Sequence, residues 1–141
     1  MIIMPKASQS EIMKYIYDWL VGLNIGPVFQ DRKPFGDTTK LRSIRTYIVF
    51  EFQNGIDDLN AYYRGECTVY IGCRDSVKFL ADMNELDAAC KVFLKEFDKN
   101  DEKEGVHCLD VEQVDYYSDE VGNHEYQFVF DLFADKEVQI G

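Results

Sequence analysis

The stretch 62-YYRGECTVYIGC-73 decides how this chain is read. It holds two cysteines six positions apart, which invites a disulfide, a metal site, or the interior of a strand. The intervening residues are rich in β-branched and aromatic types, the composition of a strand. In a strand, residues of one parity share a face. Cys67, Val69, Ile71 and Cys73 then form one apolar row, while Thr68 and Tyr70 point the other way. Six residues at 3.3 Å each place the two sulfurs' backbones about 20 Å apart. A disulfide needs Cα atoms within about 7 Å, and zinc–sulfur bonds of about 2.3 Å cannot span the gap. Both cysteines are therefore expected to be small buried hydrophobes.

Working upstream, 45-RTYIVFEFQNG-55 carries a second strand signal. Ile48, Phe50 and Phe52 share one face, and Tyr47, Val49 and Glu51 the other. Asn54-Gly55 is a turn signal, so residues 54–62 are expected to form a hairpin tip between the two strands. Before this hairpin, residues 27–44 contain Pro27, Pro34 and Gly36 among polar residues and read as a long loop, a type of segment that often carries function. Residues 8–26 form the first regular element. Ser8 and Glu11 have capping-box spacing, Ile12, Ile16, Trp19, Leu20 and Leu23 recur at helical spacing, and Gly22 or Gly26 can end the helix.

Downstream, Leu86, Cys90, Phe93 and Phe97 recur at i, i+4, i+7 and i+11, with Ala89 and Leu94 beside them. This predicts a core-facing helix over 84–97, with Asn84 as its N-cap. Residues 106–119 form an irregular strand, and a bulge near Gln113 would return Val114 and Tyr116 to a useful face. The final strand alternates Tyr126, Phe128, Phe130 and Leu132 against Glu125, Gln127 and Asp131. Val129 and Phe133 interrupt its polar face, as a subunit contact would. The expectation is one α+β domain over residues 1–141, a mostly antiparallel sheet of two β-hairpins with an N-terminal and a central helix packed on one face.

The chain's 141 residues suit a single core, and 46% of them are hydrophobic, well above the composition of a disordered chain. Fifteen Lys and Arg against 26 Asp and Glu give a net charge of −11, which argues against a broad nucleic-acid-binding face. One local exception is 30-QDRKPFGDTTKLRSIR-45, where Arg32, Lys33, Lys40, Arg42 and Arg45 face only Asp31 and Asp37. The start, MIIMPKASQ, lacks the charged head and long apolar body of a signal peptide. No apolar run approaches the roughly 18 residues that a membrane-spanning helix needs. A soluble, cytoplasmically made protein with free thiols is expected.

The chemical motifs are sparse. His107 and Cys108 are neighbours whose side chains point to opposite faces of a strand. Cys108 could instead meet His124 as a Cys–His nucleophile, but that pair would still lack an orienting group and an oxyanion site. The short ligand spacings of zinc sites are absent. The carboxylates sit in predicted turns rather than in a cleft where general acid–base chemistry could use them. No catalytic residue, cofactor or metal is expected.

The order of elements resembles the tail terminator, or tail completion, proteins of tailed bacteriophages and related neck proteins. The residues that carry the likeness are the N-terminal helix, the extended segment after it, the strand Arg45 to Phe50, the strand CTVYIG, the helix Asn84 to Phe97 and the closing pair 106–117 and 124–134. The likeness covers nearly the whole chain and is one of architecture. It implies a structural, non-enzymatic role. Such proteins assemble as a ring, often hexameric, on the last tail-tube ring and offer a docking face to the head connector. DNA passes through the channel without specific binding. Synthesis in the cytoplasm of a bacterial host and a place in the virion tail or neck would follow. Interface residues are expected among Arg32, Lys33, Phe35, Lys40 and Arg42, at the 54–62 tip, and at Val129 and Phe133. The competing reading is a small acidic interaction module of inhibitor or immunity type that binds a basic partner.

Overall fold

The computed structural model describes residues 2–5, 9–31, 46–59, 61–74, 83–97, 106–118, 123–135 and 137–140. In chain order these form β1 (Ile2–Pro5), α1 (Gln9–Gly22), β2 (Val28–Gln30), β3 (Thr46–Asp58), β4 (Tyr62–Arg74), α2 (Met83–Phe97), β5 (Val106–Ser118), β6 (Asn123–Asp135) and β7 (Glu137–Ile140). Five strands make one sheet in the order β2-β3-β4-β6-β5, and β1 pairs with β7 separately. Only β2 runs parallel to its neighbour, β3; the other pairings are antiparallel. The α+β class and the two hairpins, β3–β4 and β5–β6, are as the periodicity predicts.

The alternation read in β4 sets the core. Cys67, Val69, Ile71 and Cys73 are all buried. Opposite them in register lie Phe52, Phe50 and Ile48 of β3 and Phe130, Phe128 and Tyr126 of β6. Ile12, Ile16 and Leu20 of α1 and Leu86, Ala89, Cys90, Phe93 and Phe97 of α2 close over this same face. The helices bury one stripe each because their apolar residues recur at 3.6-residue spacing. Leu94, expected beside that stripe, lies 38% exposed on the outer side of α2. Trp19 ties the layers together: its ring sits 5.7 Å from Phe93 and 6.0 Å from Phe130. Phe93 and Phe97 rest in turn on Phe128 and Phe130, at 5.1 and 5.2 Å. Such tilted and edge-on ring pairs add about 0.5–1.5 kcal/mol each beyond the area they bury.

Several boundaries differ from expectation. The 54–62 tip is shorter, because pairing continues to Asp58↔Tyr63. Asn54-Gly55 is part of a bulge inside β3: residues 53–55 oppose the single residue Glu66. Gly55 adopts φ +71°, the left-handed conformation that glycine takes without a Cβ penalty. With two extra residues the alternation stays in step, so Ile56 keeps the parity of Ile48, Phe50 and Phe52 and is buried on the core side. The hairpin closes with the Leu59 N–H donating to the Tyr62 carbonyl at 3.0 Å. The first residues of the expected 27–44 loop are strand β2, held by the Ile48 N–H to the Pro27 carbonyl and the Asp31 N–H to the Phe50 carbonyl, each 2.9 Å. Asn84 lies inside the first turn of α2 rather than before it. Ser8 lies outside the described residues. The irregularity near Gln113 is two register shifts, yet Val114 and Tyr116 remain exposed, at 55% and 42%.

The opposite face of the sheet carries neither described helix, yet one end of it is buried. Tyr47, Gly72 and Glu125 lie side by side on β3, β4 and β6. Tyr47 reaches across Gly72 and donates a hydrogen bond of 2.6 Å to the Glu125 carboxylate, which is 2% exposed. A Cβ at position 72 would stand 2.2 Å from the Tyr47 ring. The glycine is therefore the gap through which the tyrosine spans a strand. Gly72→Ala should destabilise the fold by about 1–3 kcal/mol through overpacking. Tyr47→Phe should cost about 1–3 kcal/mol by removing a donor from a buried carboxylate. Urea unfolding of both variants measures this; unchanged midpoints would refute the arrangement.

Candidate functional site

Cross-strand register arranges the helix-free face in rows. Beyond the buried Tyr47 end come Glu51, Thr68, Val129 and Glu112, then Glu66, Asp131 and Leu109, then Asp57, Arg64, Phe133 and His107. Thr68 is buried, whereas Arg64, Glu66, Asp57 and Leu109 are exposed and Val129 and Phe133 are half-buried. The two residues singled out on the last strand thus lie on one face, four positions apart, as the alternation predicts. Arg32, Lys33, Phe35, Lys40 and Arg42 lie outside the described residues.

Phe133 is the centre of the exposed end. The Arg64 guanidinium carbon lies 5.7 Å from its ring centroid, within cation–π range. The Tyr62 ring centroid lies 6.0 Å from that of Phe133. His107 stands opposite Phe133 in register, with its Nε2 3.7 Å from an Asp135 carboxylate oxygen. Beside this cluster is an open pocket of about 230 Å³ lined by Gly55, Asp57, Arg64, Gly65, Glu66 and Asp131. The β3 bulge contributes Gly55 to its wall. Sequence reasoning singled out none of Asp57, Arg64, Glu66 and Asp131 as a group. Their parity in β4 and β6 was legible, but their neighbourhood depends on the bulge and the register.

The catalytic alternatives are set apart by geometry. Cys108 sits opposite Leu132 and His124 opposite Ser118, eight residues apart along β6, or about 26 Å. His124 instead lies with its Nδ1 2.8 Å from the Tyr116 hydroxyl. Burial pushes the Cys108 thiol up to about 12, the reverse of the shift an activated nucleophile needs. Burial, with the Asp87 charge as a smaller cause, does the same to Cys90. Cys67 is raised well above its ordinary value, chiefly by burial. All four cysteines are free and buried. Among the described residues no group of three or more His, Cys, Asp or Glu is placed to hold a metal ion. No described helix is long and apolar enough to cross a membrane.

No protein-family model matches the chain, and no curated protein matches it. Among the solved structures similar to this chain is one that aligns over 94% of each chain, with a TM-score of 0.52 and 12% sequence identity; the name it carries states no activity. At that identity the likeness is one of fold, and it spans nearly the whole molecule.

The thiols give a direct test of the burial pattern. Reaction with a disulfide reagent such as Ellman's should be slow for all four cysteines in the native protein and fast in urea. The folded state keeps Cys90 and Cys108 neutral to about 12, whereas an ordinary thiol releases its proton near 9.0. Above that lower value the unfolded chain binds fewer protons than the native one, so stability should fall as pH rises from about 9 through about 12. A Cys90→Ala/Cys108→Ala variant should show a shallower decline across this window; an unchanged slope would contradict the assignment.

Proposed function

We propose that this chain is a structural subunit that assembles into a closed ring in the tail or neck of a bacteriophage. It would cap the tail tube and offer a docking face to the head connector. The observation that carries this reading is the exposed end of the helix-free face, where Tyr62, Phe133 and Leu109 accompany Arg64 and His107. One face of the sheet is sealed by two helices, and the other leaves aromatic and aliphatic side chains unsealed beside charged ones. Aromatic and arginine side chains of this kind are enriched where protein interfaces draw their affinity. The order of elements, which resembles that of tail terminators, supports the same reading.

Copies related by rotation about one axis join two different surfaces, and such heterologous contacts close into rings. A net charge of −11 would let DNA pass a ring of these subunits without adhering to it. The role is structural rather than catalytic, and the assembled ring would belong to the virion.

A second reading has its own observation. Asp57, Glu66 and Asp131 together line a pocket on an exposed face, which suits an inhibitor-like module that captures a basic protein.

Native mass spectrometry over a concentration series, with negative-stain imaging, separates the two. Closed rings of fixed subunit number are expected. Phe133→Asp should weaken self-association about tenfold or more, with the far-ultraviolet circular dichroism spectrum unchanged. A chain that stays monomeric at its highest soluble concentration and at low salt would favour the interaction module.

A further inference from the structure

Strand β5 ends the sheet, and among the described residues its one strand partner is β6. Its outer part is open: from residue 109 to residue 116 every side chain is exposed except Val111, which is half-buried. An edge strand presents a row of backbone N–H and C=O groups that can accept another strand. At 13 residues β5 is a long edge, against a usual strand length of about 5–6. Leu109, Val114 and Tyr116 lie on it, 47%, 55% and 42% exposed. A bare edge of this length and apolarity invites pairing between copies.

Three features interrupt it. Residues 110 and 111 oppose Phe130 alone, and Asp110 takes φ +58°, a left-handed conformation foreign to a flat strand. Val114 has no partner in β6, since Gln113 pairs with Phe128 and Asp115 with Gln127. Directly after this second bulge, the Tyr116 N–H donates to the Asp115 carboxylate at 2.7 Å. A backbone donor held by a neighbouring side chain is withdrawn from strand pairing. Asp110, Glu112 and Asp115 are also interleaved with the apolar residues, so two copies of β5 laid together would set like charges against one another.

We infer that Asp115 closes the outer edge of β5 against β5 of a second copy, by engaging the Tyr116 N–H where a new ladder would form. The excluded strand is a second β5 because the same exposed apolar residues recur on both copies, and two identical strands can pair antiparallel about a two-fold axis. Such a pair is isologous, whereas a ring closes through heterologous contacts. A closed edge therefore removes a contact that would compete with ring assembly. The inference stands on β5 alone and does not require the ring reading.

Two substitutions at one position test it. Asp115→Ala removes the acceptor, and Asp115→Asn keeps a side-chain oxygen that can accept the same N–H. At low protein concentration the Tyr116 amide should exchange slowly with solvent deuterium in the wild type and in Asp115→Asn, read by NMR. In Asp115→Ala it should exchange about tenfold faster. At high concentration Asp115→Ala should form a species larger than any the wild type forms, read by sedimentation velocity, with the new amide protection confined to β5. Adding Val114→Pro, at a bulge where the sheet tolerates proline but a new ladder does not, should return that variant to wild-type size.

Fast Tyr116 exchange in the wild type would overturn the inference without any variant. So would wild-type size for Asp115→Ala at its highest soluble concentration, since the bulges alone would then close the edge. Association of Asp115→Asn equal to that of Asp115→Ala would show that the hydrogen bond is not the guard. A larger species that survives Val114→Pro would put the contact off β5.

Discussion

Strand β4 can lie between β3 and β6 in only one register, and the rest of the structure depends on it. It is paired on both sides along its length. A slip of one residue would carry Cys67, Val69, Ile71 and Cys73 from the helix-covered side to the other face. The second face imposes the same choice independently. Gly72 must lie where the Tyr47 ring crosses, since any Cβ there would overlap it. The two faces of one strand thus agree, one by hydrophobic burial and one by the absence of a side chain. Local and global preferences that coincide in this way favour a single native arrangement.

That register also divides the labour between the faces. The helix-covered face holds the rings of Phe93, Phe97, Phe128 and Phe130 against Trp19 and supplies the single core. The opposite face is sealed at the Tyr47–Glu125 end and open at the Phe133 end. Residues at the open end owe their neighbours to β4 and β6 but contribute little buried area to folding. Substitutions there can change the surface while the core keeps the fold.

Much of the fold was legible because its signals are local and periodic. The helix stripes at Ile12, Ile16 and Leu20 and at Leu86, Cys90, Phe93 and Phe97 need only the 3.6-residue repeat, and the strand faces need only parity. What escaped reading depends on partners distant in sequence. Strands β1 and β7 join the two ends of the chain, Ile2 opposite Ile140, and four residues at either end carry no pairing signal of their own. Strand β2 is three residues long beside Pro27, so its turn chemistry outweighed its strand character. Asn54-Gly55 reads as a hairpin turn because a left-handed glycine serves a turn and a bulge equally well; the buried Ile56 decides for the bulge. For the candidate site, Val129 and Phe133 were visible as breaks in alternation. The grouping of Asp57, Glu66 and Asp131 was hidden, since simple parity gives the face of Asp57 but the bulge sets the register that puts it opposite Arg64.

The acidity of the chain shows why arrangement matters more than the sum. A net charge of −11 governs solubility and the long-range repulsion between copies. At physiological salt that repulsion is screened beyond about 8 Å, so association is decided by the charges that meet at the contact itself. Arg64 stands in the same wall as Asp57, Glu66 and Asp131, and one guanidinium against three carboxylates leaves that pocket negative. Its guanidinium carbon also lies 5.7 Å from the Phe133 ring centroid, where the ring face stabilises the cation. An aromatic side chain on a sheet face thereby does two things at once: it presents apolar surface, and it holds a cation at the edge of a negative pocket.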